Sequence, residues 1–363
     1  MRIAQIAPLA ERCPPKLYGG TERIVSYLTE ALVSLGHDVT LFASGDSVTS
    51  ATLVPCSRVA LRLDSRVKDP LPYQLLQLEN VMRRADAFDV FHFHIDLIHY
   101  PLIREIADRT ITTLHGRLDL PDLWPFYDTF AHYPLVSISA AQRAPMPPVN
   151  WRGTVYHGLP PTMLPVTLHP RGAYLAFLGR ISPEKRPDRA IDIAVRAGLP
   201  LKIAAKVDRV DEGYWHHTIA PMVAAHPNVE YLGEISEADK AEFLGNARAL
   251  LFPIDWPEPF GLVLIEAMAC GTPVVAFPAG SVPEVVEHGV TGYIVETIAD
   301  AVGAVESINA LSRAGIRAVF DARFTAERMA RDYVSLYTAL PGVGGVPPGP
   351  DKLETSSEMS VAA

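Results

Sequence analysis

Residues 173–206 read AYLAFLGRISPEKRPDRAIDIAVRAGLPLKIAAK. The apolar run AYLAFLGR suits a buried strand, and the loop ISPEKR follows it. PDRAIDIAVRAG then reads as a helix, with Pro187 near its first turn and Gly198 just past its end. LKIAAK is the next strand. Strand, helix and strand in this order make a crossover unit, from which parallel sheets are built.

The pattern extends in both directions. Downstream, VEYLGE, ALLFP, PVVAF and GYIV continue the same sheet, with helical stretches between them. Upstream, MRIAQIAP reads as a strand and leads through LAERCPPKLYGGT into a helical pattern with Ile24, Leu28, Leu32 and Leu35 on one face. Gly36 stops that helix, and DVTLFAS is the following strand. DVFHFH (89–94), TITTLHG (110–116) and LVSISA (135–140) are further short strands. Residues 145–170 are proline-rich and suit a connection between domains. The expected fold class is therefore α/β, with two doubly wound parallel-sheet domains, residues 1–165 and 166–323, facing each other across a cleft. TAERMARDYVSLYTAL is a long amphipathic helix near the end, and residues 341–363 are expected to be disordered, being low in bulky apolar residues and rich in Gly, Pro and Ser.

A length of 363 residues favours two domains over one, and 48% hydrophobic residues are enough for two cores. The net charge of -9 argues against nucleic acid as the main partner. That charge sits in the second half: residues 1–165 carry 15 basic and 16 acidic side chains. The three cysteines, Cys13, Cys56 and Cys270, are too few and too widely spaced for a disulfide framework, which fits a cytoplasmic location. The N-terminus lacks the long apolar core of a signal peptide, and no apolar run approaches the ~18 residues of a membrane helix.

Three stretches carry candidate chemistry. In WPEPFGLVLIEAMACGTPVVA (256–276), Glu258 lies in a turn and Glu266 in an apolar run that reads as a buried helix. Pro259 suits the first turn of that helix, and Phe260, Gly261, Leu262 and Val263 would present backbone N–H groups to an anion. A wholly helical spacing would separate the two carboxylates by roughly 12 Å, close to the reach of a nucleoside diphosphate-sugar from ribose to hexose. A surface turn acid and a paired buried acid fit the same spacing. Arg180 and Lys185 in FLGRISPEKR place two cations at a strand end, where they could stabilise a diphosphate leaving group or form an ordinary basic loop. Gly19 and Gly20 in YGGTER allow close backbone approach to a ligand, and Thr21 could cap the helix. His92, His94 and His115 end strands, but no carboxylate or cysteine spacing makes them a metal site. No Asp-x-Asp pair, Ser-nucleophile motif or Walker-type phosphate loop occurs.

Taken together, EPFGLVLIE, FLGRISPEKRPDRAI, EAMACGTPVVAF, VPEVVEHGVTGYIV and YGGTER resemble, in order, the motifs of the family-4 retaining glycosyltransferases (glycosyl transferases group 1). The resemblance covers residues 1 to about 340 and is strongest over 173–296. It implies the GT-B fold, with two Rossmann-like domains and a C-terminal helix, residues 324–340, crossing back to the first. By the same resemblance Glu266 would bind the donor ribose and Glu258 the transferred sugar. The backbone of Phe260, Gly261, Leu262 and Val263 would hold sugar and diphosphate, and Arg180 and Lys185 the diphosphate. Gly19 and Gly20 would lie against donor phosphate or acceptor, and His115 against the donor sugar near its 6-hydroxyl. Glu258, His115, Arg180 and Lys185 are the expected catalytic residues. Three departures stand out: Arg186 and Pro187 follow Lys185 where the family has glycine, His157 replaces an asparagine at the hinge, and KVDR (206–209) replaces a glycine-rich turn.

The expected activity is a retaining transfer of a hexose to an acceptor hydroxyl, with no metal or other cofactor. UDP-glucose is the first donor expected and a GDP-sugar the second. The acceptor is open, leaning to a soluble small molecule or saccharide, with peripheral membrane contact at RVALRLDSRVK (58–68) still possible. A sugar-nucleotide epimerase or hydrolase on the same scaffold, and a silent nucleotide-binding protein, are the alternatives.

Overall fold

The computed structural model describes residues 1–16 and 19–343. The expected tail lies outside the described residues from 344 onward. Its first three residues, 341–343, instead form a turn in which Gly342 N–H donates to the Asp108 carbonyl at 3.0 Å.

The first sheet has seven strands: β1 (Arg2–Ile6), β2 (Asp38–Ser44), β3 (Thr52–Ser57), β4 (Val90–Phe93), β5 (Thr110–Thr113), β6 (Leu135–Ser137) and β7 (Trp151–Thr154). Their order is β3-β2-β1-β4-β5-β6-β7, and every pairing is parallel. The second sheet has six: β8 (Leu175–Arg180), β9 (Leu201–Lys206), β10 (Val229–Gly233), β11 (Ala249–Phe252), β12 (Val274–Ala276) and β13 (Gly292–Ile294). Its order is β10-β9-β8-β11-β12-β13, again all parallel.

Burial on both faces explains why the strands read as unbroken apolar runs. Leu175, Phe177, Ala249, Leu251 and Val275 pack under the helix Pro187–Arg196, with Ala190, Ile191 and Ile193. The alternate residues Ala176, Leu250, Phe252, Val274 and Ala276 pack under the helix Leu262–Ala269, with Leu264, Ile265 and Met268.

Two edge strands were not legible. β3 (TLVPCS) contains Pro55, which an edge strand tolerates because one row of its backbone groups has no neighbour to pair with. β7 (WRGT) lies inside the proline-rich stretch read as a connection, and it is short and carries Arg152 and Gly153. The true crossing follows it. Leu159 exchanges hydrogen bonds with Phe324 and Ala326, so the outgoing and returning segments lie side by side. A Cβ on Gly158 would sit 2.2 Å from the Thr325 carbonyl oxygen, so only glycine lets the two chains approach this closely.

Beyond Thr325, whose side chain caps it, the helix Ala326–Thr338 packs on the helix Gly20–Ser34 of the first domain. A second tie between domains is Glu284, whose carboxylate accepts the N–H groups of Ala140 and Ala141, both at 2.7 Å, and the Tyr156 hydroxyl at 3.1 Å. Strand order reverses between β1 and β4 in one sheet and between β8 and β11 in the other. Ligands bind at the carboxyl ends of strands flanking such switch points, and here both open on the cleft between domains.

Candidate active site

A cavity of about 500 Å³ fills the cleft. Gly19, Gly20 and His115 line it from the first domain. Arg180, Lys185, Glu258, Phe260, Gly261, Leu262, Val263 and Glu266 line it from the second. The eleven residues expected to bind the donor or take part in catalysis therefore meet in one place.

Lys185 and Glu258 form an ion pair. The Trp256 indole N–H donates to the same carboxylate oxygen, Oε2, at 3.0 Å, and the Lys185 ammonium lies 4.9 Å from the Trp256 ring centre. Gly280 sets the backbone of this turn: with φ +58, it lies so close that a Cβ would come 2.3 Å from the Glu258 nitrogen and oxygen. The Ser281 N–H donates to the Glu258 carbonyl at 2.9 Å. Glu258 is thereby fixed before any ligand arrives.

The helix starts later than expected. Gly261, at φ 78, is the residue before its first turn, and the helix runs Leu262–Ala269, so Pro259 and Phe260 precede it. The left-handed glycine turns the chain sharply enough to aim the first N–H groups of the helix at the cleft. Facing it, the helix Gly20–Ser34 begins after Gly19 at φ 148 with no side-chain cap, so Thr21 lies within the first turn rather than capping it. A Cβ on Gly20 would meet only Leu262, at 3.6 Å, which shows how closely the two helix starts oppose each other across the cleft.

Arg180 is not presented alone. Its guanidinium lies 3.5 Å from Asp208 and Asp211 and 3.4 Å from Glu184. Asp208 also pairs with Lys206 at 2.8 Å, and hydrogen bonding to Lys206 holds its carboxyl below the usual range. The KVDR segment thus supplies charged partners where a glycine-rich turn would supply only backbone. Arg186 occupies a left-handed conformation, φ 54, which glycine adopts without strain and which fits the glycine that the family resemblance leads one to expect there.

Glu266 is 3% exposed and paired with Lys240 at 2.7 Å, while Arg23 of the first domain lies 4.0 Å away and also pairs with Glu237. Burial pushes the Glu266 carboxyl up, but Lys240 and Arg23 outweigh it, and the net shift is downward. Glu266 is a carboxylate in the folded protein.

His115 belongs to a buried relay. His94 Nε2 contacts the Gln5 amide oxygen at 2.9 Å, so Nε2 carries the proton and Nδ1 is the acceptor. His94 Nδ1 therefore accepts from His115 Nε2 at 2.8 Å, which leaves His115 Nδ1 as a bare acceptor with no partner among the described residues. The Gln5 amide donates to Tyr337 at 3.2 Å, and Tyr337 bonds His92 at 2.7 Å, so the relay reaches the C-terminal helix. Burial pushes the His115 imidazole down to about 3. Gln142 holds the loop: its amide donates to the carbonyls of Leu114 and Gly116, on either side of His115, at 2.9 and 2.8 Å. His157 stacks on His115 with ring centres 5.3 Å apart and meets Phe260 at 4.8 Å, a contact asparagine could not fill.

Sequence reasoning assigned no role to Arg23, Lys240, Gln142 or Gly280. Arg23 stood inside YGGTER, whereas the other three lie in stretches without a motif. Among the described residues, no group of three or more His, Cys, Asp or Glu is placed to hold a metal ion, and no helix is long and apolar enough to cross a membrane.

The family model described as Glycosyltransferase Family 4 matches residues 18–145, and the one described as Glycosyl transferases group 1 matches residues 166–318. D-inositol 3-phosphate glycosyltransferase of Mycobacterium sp. (strain KMS) is 35% identical over 139 residues, 36% of this chain and 30% of that protein. N-acetyl-alpha-D-glucosaminyl L-malate synthase of Bacillus anthracis is 32% identical over 175 residues, 44% of this chain and 45% of that protein. The matched stretches thus span less than half the length of these relatives. The structure of Anabaena HepE in complex with UDP-glucose superposes with a TM-score of 0.70 at 17% identity, covering 94% of this chain and 100% of that one. With one family motif set in each domain and two all-parallel sheets around a shared cleft, the chain belongs to the group 1 glycosyltransferases of family 4 and has their GT-B fold.

Proposed function

We propose that the protein transfers a hexose from a nucleotide-sugar to an acceptor hydroxyl with retention of configuration. The observation that carries this reading is the single cavity in which Lys185, Glu258, the helix start at Leu262 and Glu266 of one domain face Gly19, Gly20 and His115 of the other. In it, Glu266 takes the ribose hydroxyls, and the helix start and Lys185 take the diphosphate. Arg180 contributes charge through its network with Asp208, Asp211 and Glu184. Glu258 and His115 hold the sugar, with His115 Nδ1 accepting from a hydroxyl.

In the chemical step an acceptor oxygen bonds to the anomeric carbon while the bond from that carbon to the diphosphate breaks. The acceptor proton passes to the departing phosphate oxygen on the same face. No carboxylate nucleophile is invoked, and Lys185 and the helix N–H groups stabilise the leaving charge in place of a metal. Closure of the cleft limits loss of the donor to water.

UDP-glucose, the ligand of the HepE structure, is the first donor proposed and a GDP-sugar the second. Calorimetry with UDP and GDP, followed by turnover of UDP-glucose and GDP-mannose with the anomeric configuration read by NMR, tests the proposal. Binding of one nucleotide and an α-linked product from an α-linked donor are expected. Failure of both nucleotides to bind overturns the reading, and inversion overturns the stereochemistry.

A further inference from the structure

Arg180 and Lys206 are register partners at the carboxyl ends of β8 and β9. Both cations therefore stand on one face of the sheet edge, and both line the cleft cavity. After β9 the chain makes a 3₁₀ turn, Arg209–Asp211, in which the Asp211 N–H donates to the Asp208 carbonyl at 2.8 Å. Side chains three residues apart eclipse in such a turn, and the carboxylates of Asp208 and Asp211 both come to 3.5 Å from the Arg180 guanidinium. Glu184 reaches it from the loop after β8, at 3.4 Å.

Acid outnumbers base in this corner. The ion pairs of Arg180, Lys185 and Lys206 join three cations to four carboxylates, those of Glu184, Asp208, Asp211 and Glu258. Asp211 shows the imbalance. Burial pushes its carboxyl up, Arg180 pulls it down, Asp208 and Glu184 add to the rise, and the net shift is upward. None of the three contacts to Arg180 has the about 2.7–2.9 Å of a tight charge-assisted bond. The guanidinium is shared among the acids rather than locked on one of them, which leaves it available to a ligand.

An anion that takes Arg180 leaves these carboxylates less compensated and is repelled by them. Arg180 is 25% exposed and Asp211 12%, so salt screens the repulsion only in part. The penalty grows with the charge of the ligand. A nucleotide-sugar carries one negative charge on each phosphate. Transfer of the sugar uncovers a terminal phosphate whose second pKa is about 6, so at pH 7 the product carries nearly one charge more. The acids thus oppose the product more than the donor.

We propose that Asp208 and Asp211 are positioning residues that act through Arg180 to loosen the hold on the nucleoside diphosphate product more than the hold on the donor, and so hasten product release. A glycine-rich turn in place of KVDR would bring no such charge. The inference rests on the donor reading above, and its test separates the two. Calorimetry with UDP and UDP-glucose, and with GDP and GDP-mannose, is run on the wild type, Asp208→Asn and Asp211→Asn. Each substitution removes one charge and keeps the shape of the side chain.

For the nucleotide that binds, either variant should hold the diphosphate about three- to tenfold more tightly than the wild type, whereas the nucleotide-sugar should gain about twofold or less. Stopped-flow displacement should show the gain as slower dissociation of the diphosphate. Asp208→Glu, which keeps the charge, should leave the ratio of the two affinities unchanged. Equal weakening of diphosphate and nucleotide-sugar in the folded variants would show that the acids hold Arg180 in place for the phosphates, and would overturn the inference. So would a ratio of affinities that neither Asn variant changes. Absence of UDP and GDP binding to the wild type would instead overturn the donor reading on which it stands.

Discussion

Lys185 and Glu258 come from loops 73 residues apart, one after β8 and one after β11, and form an ion pair in which the Lys185 ammonium lies over the Trp256 ring and Glu258 accepts from its indole N–H. The pair spans the switch point of the second sheet. It joins the residue proposed for the sugar to the residue proposed for the diphosphate, so the two groups orient each other.

Loss of either partner should therefore affect turnover more than folding. Lys185→Ala and Glu258→Ala should each lower kcat by about 10²- to 10³-fold, the range found when one transition-state donor is removed. The double variant should lose less than the product of the two losses, because each single change already frees the other side chain. Steady-state rates at saturating donor, with circular dichroism to verify folding, give the answer. Multiplicative losses would show that the two residues act independently.

Five histidines make acid the main threat to stability. Burial holds His92, His94 and His157 well below their ordinary value and puts His99 and His115 at about 3, with neighbouring histidines adding to the effect on His92, His94 and His157. The unfolded chain binds these protons as pH falls through 6.5, whereas the folded protein does not. Stability is thus fully present above pH 6.5 and is lost as pH falls toward 3, by up to about 1.4 kcal/mol per pH unit for each histidine. Denaturant midpoints measured from pH 8 to pH 4.5 should be level at first and then fall steeply. A level curve down to pH 5 would contradict the buried neutral relay.

Arg186 shows a cost accepted beside the site. Its φ of 54 is one that L-residues other than glycine avoid, by roughly 1–2 kcal/mol. Its guanidinium is held by Asp188 at 2.9 Å and Asp255 at 2.7 Å. Arg186→Gly and Arg186→Ala both lose those ion pairs, but only glycine relieves the backbone. The glycine variant should be the more stable of the two by about 1 kcal/mol in chemical denaturation. Equal stabilities would show that the backbone relaxes when the ion pairs are gone.

The two-sheet architecture was legible because its central strands are buried on both faces and are punctuated by Gly36 and Gly198. β3 and β7 were not, because edge strands tolerate Pro55, Arg152 and Gly153 and lose the apolar signature. The convergence of Glu258, Lys185 and Glu266 could be read from ordered motifs. What the motifs left out is support that acts through space: Gly280 under Glu258, Gln142 around His115 and Lys240 on Glu266. Each comes from a different element, so no local spacing links it to the residue it serves.

The Glu266 site combines a structural and a binding role, and substitution can separate them. Lys240 is 2.7 Å from Glu266 and 3.3 Å from Glu237, whereas Arg23 pairs with Glu237 and lies 4.0 Å from Glu266. Lys240→Met would leave a 3% exposed carboxylate with only the more distant cation, and breaking a buried pair in this way costs about 3–5 kcal/mol. Arg23→Ala should cost less, since Lys240 still neutralises both acids. Adding Glu266→Gln to Lys240→Met removes the stranded charge and should restore much of the lost stability, although UDP affinity should remain weak because the neutral amide no longer accepts ribose hydroxyls as a carboxylate does. When Glu266→Gln is added to Lys240→Met, the melting temperature should therefore rise while UDP affinity by calorimetry stays weak. If the double variant regained UDP binding along with its stability, Glu266 would be a partner for Lys240 and not a ribose ligand.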